Sequence, residues 1–271
     1  MTTQLAVIGF GTMGQAITGG LVEAAGYPPE RILACAKGRG QKAKARAQAM
    51  GIGWAASAAE AVRASQAVLL CVKPKDLGTL LDGLRAAGAL DHHPLVVSIA
   101  AGVDLAFLEA RVPEGTPVIR AMPNTPCSIR MGTTVLASGG CAGEDHLALA
   151  RTFFEPLGAV LDLEEHHMDA VTGLSASGPA FIFVVLEALA EGGVQCGLPR
   201  AVALELAARM TVGAASMVLQ TGRHPAALKD EVTTPAGCTI AGLLALEDGR
   251  IRSVLARGIE RATQVAAGLG Q

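Results

Sequence analysis

The chain is 271 residues long, with 51% hydrophobic and 17% charged residues and a formal net charge of −2. This length suits one large or two modest domains, and so large an apolar fraction predicts that part of it covers a subunit interface. The absence of a basic run, together with an aromatic content of 3%, excludes a general nucleic-acid-binding surface.

The first half of the chain alternates short β-rich runs with helical stretches. This alternation predicts right-handed βαβ units and a mainly parallel sheet. The predicted strands are Leu5–Ile8, Arg31–Cys35, Ala67–Val72, Leu95–Ile99 and Val118–Ala121, followed by Thr133–Leu136 and Ala159–Leu163, which could run in the reverse direction. The predicted helices between them are Met13–Ala25, Gln41–Met50, Leu77–Ala87 and Leu105–Arg111.

After residue 163 the strand signals stop. The predicted helices there are Met168–Thr172, Pro179–Gly192, Arg200–Gln220, Pro225–Asp230, Ile240–Glu247 and Arg252–Gly268. The stretch Ala180–Ala190 is apolar on nearly every face, which is typical of a fully buried helix, and in so small a domain a second subunit is the simplest source of that burial. We therefore predict an α/β domain with a doubly wound sheet over residues 1–163 and an all-α dimerisation domain over residues 164–271.

The turn Gly9-Phe10-Gly11-Thr12-Met13-Gly14 follows the first predicted strand and opens a helix. This is the context that the G-x-G-x-x-G pattern requires for dinucleotide binding, so the first domain is predicted to be of the Rossmann type. Gly9 permits the tight turn, Gly11 lets a pyrophosphate approach the backbone, and Gly14 lets the helix pack closely on the sheet. The alternative is a structural glycine turn in an unrelated α/β fold.

The second predicted strand ends without the acidic residue that usually holds the ribose of NAD. Lys37 and Arg39 follow it instead, and their charges favour the 2′-phosphate of NADPH. An ordinary solvated turn is the alternative. Ligands in open α/β sheets lie beyond the carboxyl ends of the strands, so we also expect Cys71-Val72-Lys73-Pro74 and Ala100-Ala101-Gly102 to line the cofactor.

The segment from Asp230 to Gly242 combines hydroxyls, a Pro and small residues before an apolar helical pattern. A turn of this kind presents free N–H groups and the positive end of a helix dipole, which bind a small anion such as a carboxylate. Thr234 and Thr239 would add hydroxyl donors. The alternative is a capped helix, with Thr233 or Thr234 as N-cap and Pro235 at the first helical position.

Ser175 and Ser177 precede Gly178-Pro179 at the start of the long apolar helix. Two interpretations stay open for them: side chains at the floor of an active site, or an N-cap followed by an early Pro. If the first holds, Ser175 contacts the substrate.

The six cysteines are scattered without a CxxC pair, which is typical of reduced cytoplasmic thiols rather than of disulfides or a zinc site. His92-His93 and His166-His167 lack the i,i+4 spacing of helical metal ligands, so no metal is predicted. Because the first predicted strand begins at Leu5 with no charged n-region or cleavage site before it, we expect no secretory segment. The longest apolar run, Pro179 to Leu186, is cut by Glu187 and Glu191 and is too short for a bilayer.

Taken in order along nearly the whole chain, these motifs resemble those of the pyrroline-5-carboxylate reductase family. The motifs that carry the resemblance are the glycine-rich turn, Cys71–Pro74, Ser98-Ile99-Ala100-Ala101-Gly102, Arg120-Ala121-Met122-Pro123-Asn124-Thr125-Pro126, Gly173–Ala180 and the segment 230–242. The resemblance implies NADPH-dependent reduction of the cyclic imine 1-pyrroline-5-carboxylate to L-proline, with NADH as a weaker donor. It also implies a homodimer with interleaved helical domains, and whether the dimers assemble further is left open.

The resemblance also places individual residues. It puts Met122 and Asn124 close to the nicotinamide, although Asn124 could equally form an Asx-turn. It assigns the substrate to Glu231, Val232, Thr234, Gly237, Cys238 and Thr239. Thr239 is our candidate catalytic residue, orienting the ring nitrogen while the proton arrives with the substrate or through water, since a hydroxyl is a poor acid.

The chain departs from the family pattern at two places. Ala236 replaces a Gly of the commoner Ser-Pro-Gly-Gly-Thr-Thr loop, which is free of strain only if its φ is negative. Ser57-Ala58 stand where many relatives carry an Asn near the adenosine, which puts one ribose contact in doubt.

The same layout also occurs with other functions. A β-hydroxyacid dehydrogenase has the same layout but uses a Lys as its acid, and the corresponding stretch Ser177–Val184 contains none. Reduction of the six-membered imine stays open, since one methylene discriminates by only about 1–3 kcal/mol. A non-enzymatic NADPH sensor would not need the anion loop at residues 234–239.

Overall fold

The computed structural model describes residues 4–37 and 40–268. Residues 5–162 contain an eight-stranded sheet with the order β3-β2-β1-β4-β5-β6-β7-β8. The strands are β1 (Leu5–Ile8), β2 (Ile32–Cys35), β3 (Gly53–Trp54), β4 (Ala67–Leu70), β5 (Leu95–Ser98), β6 (Val118–Met122), β7 (Gly132–Ser138) and β8 (Gly158–Asp162). The first six strands are parallel, β7 pairs antiparallel with β6, and β8 pairs parallel with β7. The predicted sheet and the reversed direction of its last two strands are confirmed.

The helices follow the predicted alternation and then the predicted helical run. Those of the first half are α1 (Thr12–Glu23), α2 (Gly40–Ala49), α3 (Ala58–Arg63), α4 (Pro74–Ala86), α5 (Leu105–Glu109) and α6 (Glu144–Phe154). Those of the second half are α7 (Met168–Val171), α8 (Gly178–Gln195), α9 (Arg200–Thr221), α10 (Pro225–Glu231), α11 (Cys238–Asp248) and α12 (Ile251–Ala267). A π-helical turn over residues 172–176 joins α7 to α8.

Both faces of the sheet are buried, as the continuous apolar strands require. In β1, Leu5 and Val7 enter one hydrophobic cluster, whereas Ala6 and Ile8 enter the other. This alternation follows from the two-residue period of a strand.

Sequence reasoning missed three elements, β3, α3 and α6. Only two residues form β3, too few to display a period, and its pairing with β2 defines it. The start of α3 carries a local sequence signal, since the Ser57 hydroxyl caps the helix by accepting from the Glu60 amide, and the Glu60 carboxylate accepts from the Ala56 amide.

The described residues divide into two compact units, the first comprising 4–37, 40–177 and 261–268, and the second 178–260. The first unit extends beyond the predicted boundary at residue 163, because α7 packs on the sheet. Met168 is fully buried in one of the two clusters. The buried guanidinium of Arg120, on β6, lies 3.5 Å from Glu165 and 3.3 Å from Asp169.

The second unit consists of apolar helices that a single chain leaves largely uncovered. Ala190 is the one residue of α8 that is buried within the chain, and α11 has none. Phe183 on α8 is 63% exposed and Leu219 on α9 is 85% exposed. The predicted burial of Ala180–Ala190 is therefore not supplied by the chain itself, as expected if another subunit supplies it.

The apolar run Pro179 to Leu186, predicted to be too short for a bilayer, lies within a longer apolar helical stretch. Two helical stretches, Glu165–Gln195 and Arg200–Thr221, are long and apolar enough by length and composition. Glu187 and Glu191 interrupt the apolar run but not the helix, so counting an unbroken run underestimated its length. Core helices of soluble proteins pass the same test, which makes this feature weak support for a membrane segment.

Candidate functional site

The glycine-rich turn lies at the carboxyl edge of the sheet, between β1 and α1. Gly9 has a φ of +97°, and a Cβ atom there would lie 2.6 Å from the carbonyl oxygen of Cys71. A Cβ atom on Gly14 would collide with the carbonyl oxygen of Gly9. Both positions therefore accept only glycine, Gly9 also because L side chains avoid its φ. Gln15, which sequence reasoning missed, closes the turn by donating from Nε2 to the Phe10 carbonyl oxygen at 2.8 Å.

Gly11 differs from the other two glycines of the motif. A Cβ atom there would meet no protein atom within 4 Å, so the approach to its backbone is open. Gly11 is the N-cap of α1 and provides no side-chain hydrogen bond to the first turn, which begins at the exposed Thr12. An open backbone beside an uncapped helix start fits the pyrophosphate of a dinucleotide.

Neighbouring strands bring the predicted cofactor loops together. The amide of Gly9 donates to Cys35 at 2.8 Å, and the amide of Cys71 donates to Ile8 at 2.7 Å. The carboxyl ends of β2, β1 and β4 are therefore adjacent. Since β5 follows β4 in the sheet, the segments Cys71–Pro74 and Ala100–Gly102 leave from the same edge.

Three of the predicted cofactor residues have side chains that belong to the hydrophobic core. Phe10, Ala100 and Met122 are each 2–3% exposed. Only their backbone can meet a ligand. Burial also raises the pKa of the Cys71 thiol well above its usual range, so this side chain stays neutral near pH 7 and serves packing rather than chemistry.

Lys37, predicted to meet the 2′-phosphate, is exposed and lies two residues beyond β2. Arg39 lies outside the described residues. Sequence reasoning missed Glu60, whose charge adds to burial in raising the pKa of the Cys35 thiol at the end of β2. Its carboxylate accepts a 2.8 Å hydrogen bond from the Ala56 amide. The fold therefore brings an acidic group near the end of β2 from outside the local sequence.

Asn124 follows β6 and contacts Ser175 of the π-helical turn. Its Nδ2 lies 3.3 Å from both the carbonyl oxygen and the hydroxyl of Ser175. Ser175 lies inside the turn and Ser177 has a helical φ of −86°, so the N-cap interpretation of these serines was wrong. Single π turns occur frequently at functional sites.

In the second unit, the loop between α10 and α11 differs from a simple capped helix. The N-cap of α11 is Gly237, without a side-chain cap, and neither Thr233 nor Thr234 takes that position. The carbonyl oxygen of Thr234 accepts from the Gly237 amide at 3.1 Å. Cys238 is exposed and Thr239 is half-buried in the first turn. The uncapped helix start fits an anion.

The requirement that Ala236 have a negative φ is not met. Its φ is +55°, a conformation that costs a residue with a Cβ atom about 1–2 kcal/mol. The loop therefore carries backbone strain where the commoner family pattern has a glycine.

Glu231 and Val232 end α10. Both oxygens of Glu231 accept from Arg223, whose guanidinium lowers the pKa of that carboxyl. The carboxylate is thus occupied by an intrachain ion pair, and a negative group is a poor partner for a substrate carboxylate. Val232 is 61% exposed.

Within residues 4–37 and 40–268, no group of three or more His, Cys, Asp or Glu side chains is arranged to hold a metal ion.

The chain matches two family models. Residues 165–269 match pyrroline-5-carboxylate reductase dimerisation, and residues 4–102 match NADP oxidoreductase coenzyme F420-dependent. A pyrroline-5-carboxylate reductase from Synechocystis sp. is 40% identical over 271 residues, which covers 100% of both chains. The structure of a pyrroline-5-carboxylate reductase from Coxiella burnetii has a TM-score of 0.91 at 30% identity and covers 100% of both chains. Pyrroline carboxylate reductase from Plasmodium falciparum, solved with NADP bound, has a TM-score of 0.89 at 25% identity, with 99% of this chain and 98% of that chain covered.

The two glycines at 9 and 11 make a matched pair for testing the dinucleotide site. Gly11→Ala should leave the melting temperature within about 2 °C, because its Cβ enters open space, yet should weaken NADPH binding at least about tenfold by blocking the pyrophosphate. Gly9→Ala should instead unfold at a clearly lower temperature, since its Cβ meets backbone. Thermal unfolding and NADPH fluorescence titration measure both. Undiminished NADPH affinity in Gly11→Ala would place the pyrophosphate elsewhere.

Proposed function

This chain belongs to the pyrroline-5-carboxylate reductase family, and we propose that it reduces 1-pyrroline-5-carboxylate to L-proline with NADPH, the final step of proline biosynthesis. The observation that carries the proposal is the pair of uncapped helix starts at α1 and α11. The first has the open glycine backbone that a pyrophosphate needs, and the second is flanked by hydroxyls that suit a carboxylate.

In the first unit, the residues proposed to hold the cofactor follow the carboxyl ends of the strands. Gly9 to Gly14 and α1 bind the pyrophosphate, and Lys37 with Arg39 binds the 2′-phosphate. Cys71–Pro74 and Ala100–Gly102 line the cofactor, and Met122 contributes its backbone. NADPH supplies the hydride, with NADH as a weaker donor. The chain itself contributes binding and alignment.

In the second unit, the loop from Thr234 to Thr239 is proposed to bind the substrate carboxylate through N–H groups and hydroxyls. Val232, Gly237 and Cys238 shape this loop. Glu231 acts indirectly, because its ion pair with Arg223 stabilises the end of α10, which leads into this loop. Thr239 orients the ring nitrogen, and the proton arrives with the iminium or through water.

The assembly proposed is a homodimer with interleaved helical domains, since α8 and α9 expose apolar faces that another copy would cover. Whether dimers stack further is left open. We place the enzyme in the cytoplasm without a membrane segment or nucleic-acid partner, consistent with six free cysteines and a net charge of −2.

The activity is tested by NADPH oxidation at 340 nm with three substrates. Turnover is expected with 1-pyrroline-5-carboxylate, and should exceed turnover of the six-membered imine. A 3-hydroxyacid with NADP⁺ should give none, because the helix start at Gly178 has no lysine. Turnover of another imine without turnover of the five-membered one would agree with an imine reductase but contradict the proposed substrate.

Thr239→Ala should lower kcat/KM for the imine about tenfold, the effect of one hydrogen bond. NADPH affinity should change less than twofold. Thr211→Ala is the matched control, because the Thr211 hydroxyl bonds only within its own helix, to the Ala207 carbonyl oxygen at 2.9 Å. An unchanged kcat/KM for Thr239→Ala would remove its orienting role.

Lys37→Ala should raise the Kd of NADPH about tenfold and leave that of NADH within twofold, because only NADPH carries the phosphate. Adding Arg39→Ala should increase the shift. Lys44→Ala, an exposed lysine on α2, controls for net charge. Equal losses for both cofactors would exclude Lys37 from the phosphate site.

On dilution, dissociation of the dimer should coincide with loss of helix content, because the apolar helices are not buried by one chain. Sedimentation and far-UV circular dichroism follow the two events. A monomer that keeps its helices would contradict the interleaved arrangement.

A further inference from the structure

The orientation of the Asn124 amide is determined by its neighbours. The Thr133 amide donates to Asn124 Oδ1 at 2.9 Å. A backbone N–H only donates, so the oxygen of Asn124 must face Thr133 and its nitrogen must face Ser175.

This arrangement uses the hydrogen-bonding capacity of Asn124 within the protein. Nδ2 carries two hydrogens and lies 3.3 Å from two acceptors, the carbonyl oxygen and the Oγ of Ser175. Both acceptors belong to Ser175, so the amide nitrogen is directed at that residue rather than at the carboxamide of a nicotinamide. The predicted role of Asn124 as a direct cofactor ligand therefore gives way to a role through Ser175.

The contact also determines the direction of the Ser175 hydroxyl. Because Oγ accepts from Asn124, its hydrogen points elsewhere. The structure gives this hydroxyl no acceptor among residues 4–37 and 40–268, whereas the Thr172 hydroxyl, in the same turn, donates to the Met168 carbonyl oxygen at 2.8 Å. Ser175 is half-buried, and its hydroxyl is a directed donor without an intrachain acceptor.

Ion pairs elsewhere on the same two elements help to hold Asn124 and Ser175 close to each other. Asn124 follows β6 and Ser175 follows α7. Arg120 of β6 joins these elements through Glu165 and Asp169. Arg120 is only 3% exposed, so its buried guanidinium, paired with two partly exposed carboxylates, connects the end of β6 to the segment that leads into the π turn.

We propose that Asn124 is a positioning residue that holds the Ser175 hydroxyl as a hydrogen-bond donor to the substrate carboxylate. This inference rests on the proposed function. A protonated cyclic imine has no acceptor on its nitrogen, so its carboxylate oxygens are the acceptors that it offers. The hydrogen bond is charge-assisted, the stronger class.

Asn124→Asp reverses the hydrogen bond while keeping the shape of the side chain. One carboxylate oxygen still accepts from Thr133, and the other accepts the Ser175 proton, which then no longer reaches the substrate. We expect kcat/KM for 1-pyrroline-5-carboxylate to fall at least about tenfold, with the Kd of NADPH within twofold. A parallel rise in the NADPH Kd would assign Asn124 to the cofactor and overturn the inference.

Ser175→Ala tests the acceptor. Its kcat/KM should fall about tenfold with 1-pyrroline-5-carboxylate and less than twofold with 1-pyrroline, which lacks the carboxylate. Equal losses with both imines would contradict a bond to the carboxylate. Ser128→Ala is the matched control, since its hydroxyl is bound to the Thr125 carbonyl oxygen at 3.1 Å.

The double variant separates positioning from charge. In the Ser175→Ala background, Asn124→Asp should change kcat/KM less than twofold, because its effect passes through the missing hydroxyl. An equal fall in both backgrounds would show direct repulsion and overturn the inference. Asn124→Ala adds no charge, and its severalfold loss with the carboxylated imine alone gives the same test if the Asp variant does not fold.

The wild-type protein distinguishes this inference from the function on which it rests. Absence of turnover with 1-pyrroline-5-carboxylate would overturn both. Normal wild-type turnover with kcat/KM unchanged in Asn124→Asp and Ser175→Ala would overturn the inference alone.

Discussion

The close approach of Gly9 to the carbonyl of Cys71 is the constraint on which the first unit, with its proposed dinucleotide site, depends. The pairing of β1 with β4 brings their ends together, Gly9 leaves room for that approach, and Gly14 lets α1 pack against the same turn. Any side chain at either glycine would push the helix away from the sheet. Of the three motif glycines, only Gly11 is not packed against other protein atoms. A pyrophosphate would enter the open space beside its backbone.

Ion pairs of Arg120 and the hydrogen bond between Asn124 and Ser175 connect the sheet to the helices that follow it. Arg120 is buried on β6, and its two carboxylate partners lie on the helical stretch that contains α7. A guanidinium removed from water is stable only when it is paired. The chain must therefore return to β6 after β8, which brings the π turn and Ser175 to Asn124. One ion cluster thereby joins the sheet to the start of the helical half.

The helical unit obeys a different constraint. Its helices are apolar around most of their circumference, yet α11 buries no residue within one chain. The free energy of burying such surface is available only through association. Three observations agree with a unit that is stabilised by association. They are the exposed apolar faces of α8 and α9, the match of residues 165–269 to a dimerisation model, and the low charge content.

Local patterns in the sequence determined most of the fold. Strand and helix periods predicted seven of the eight strands and their order of alternation, and the spacing of Gly9, Gly11 and Gly14 located the turn, because these signals involve residues close in the chain. Tertiary structure alone decided what depends on distant residues. It brought Glu60 near the end of β2, turned Met122 into the core, and gave Asn124 two partners from β7 and the π turn. It also set Ala236 at a positive φ, since the path of a loop is imposed by its two ends.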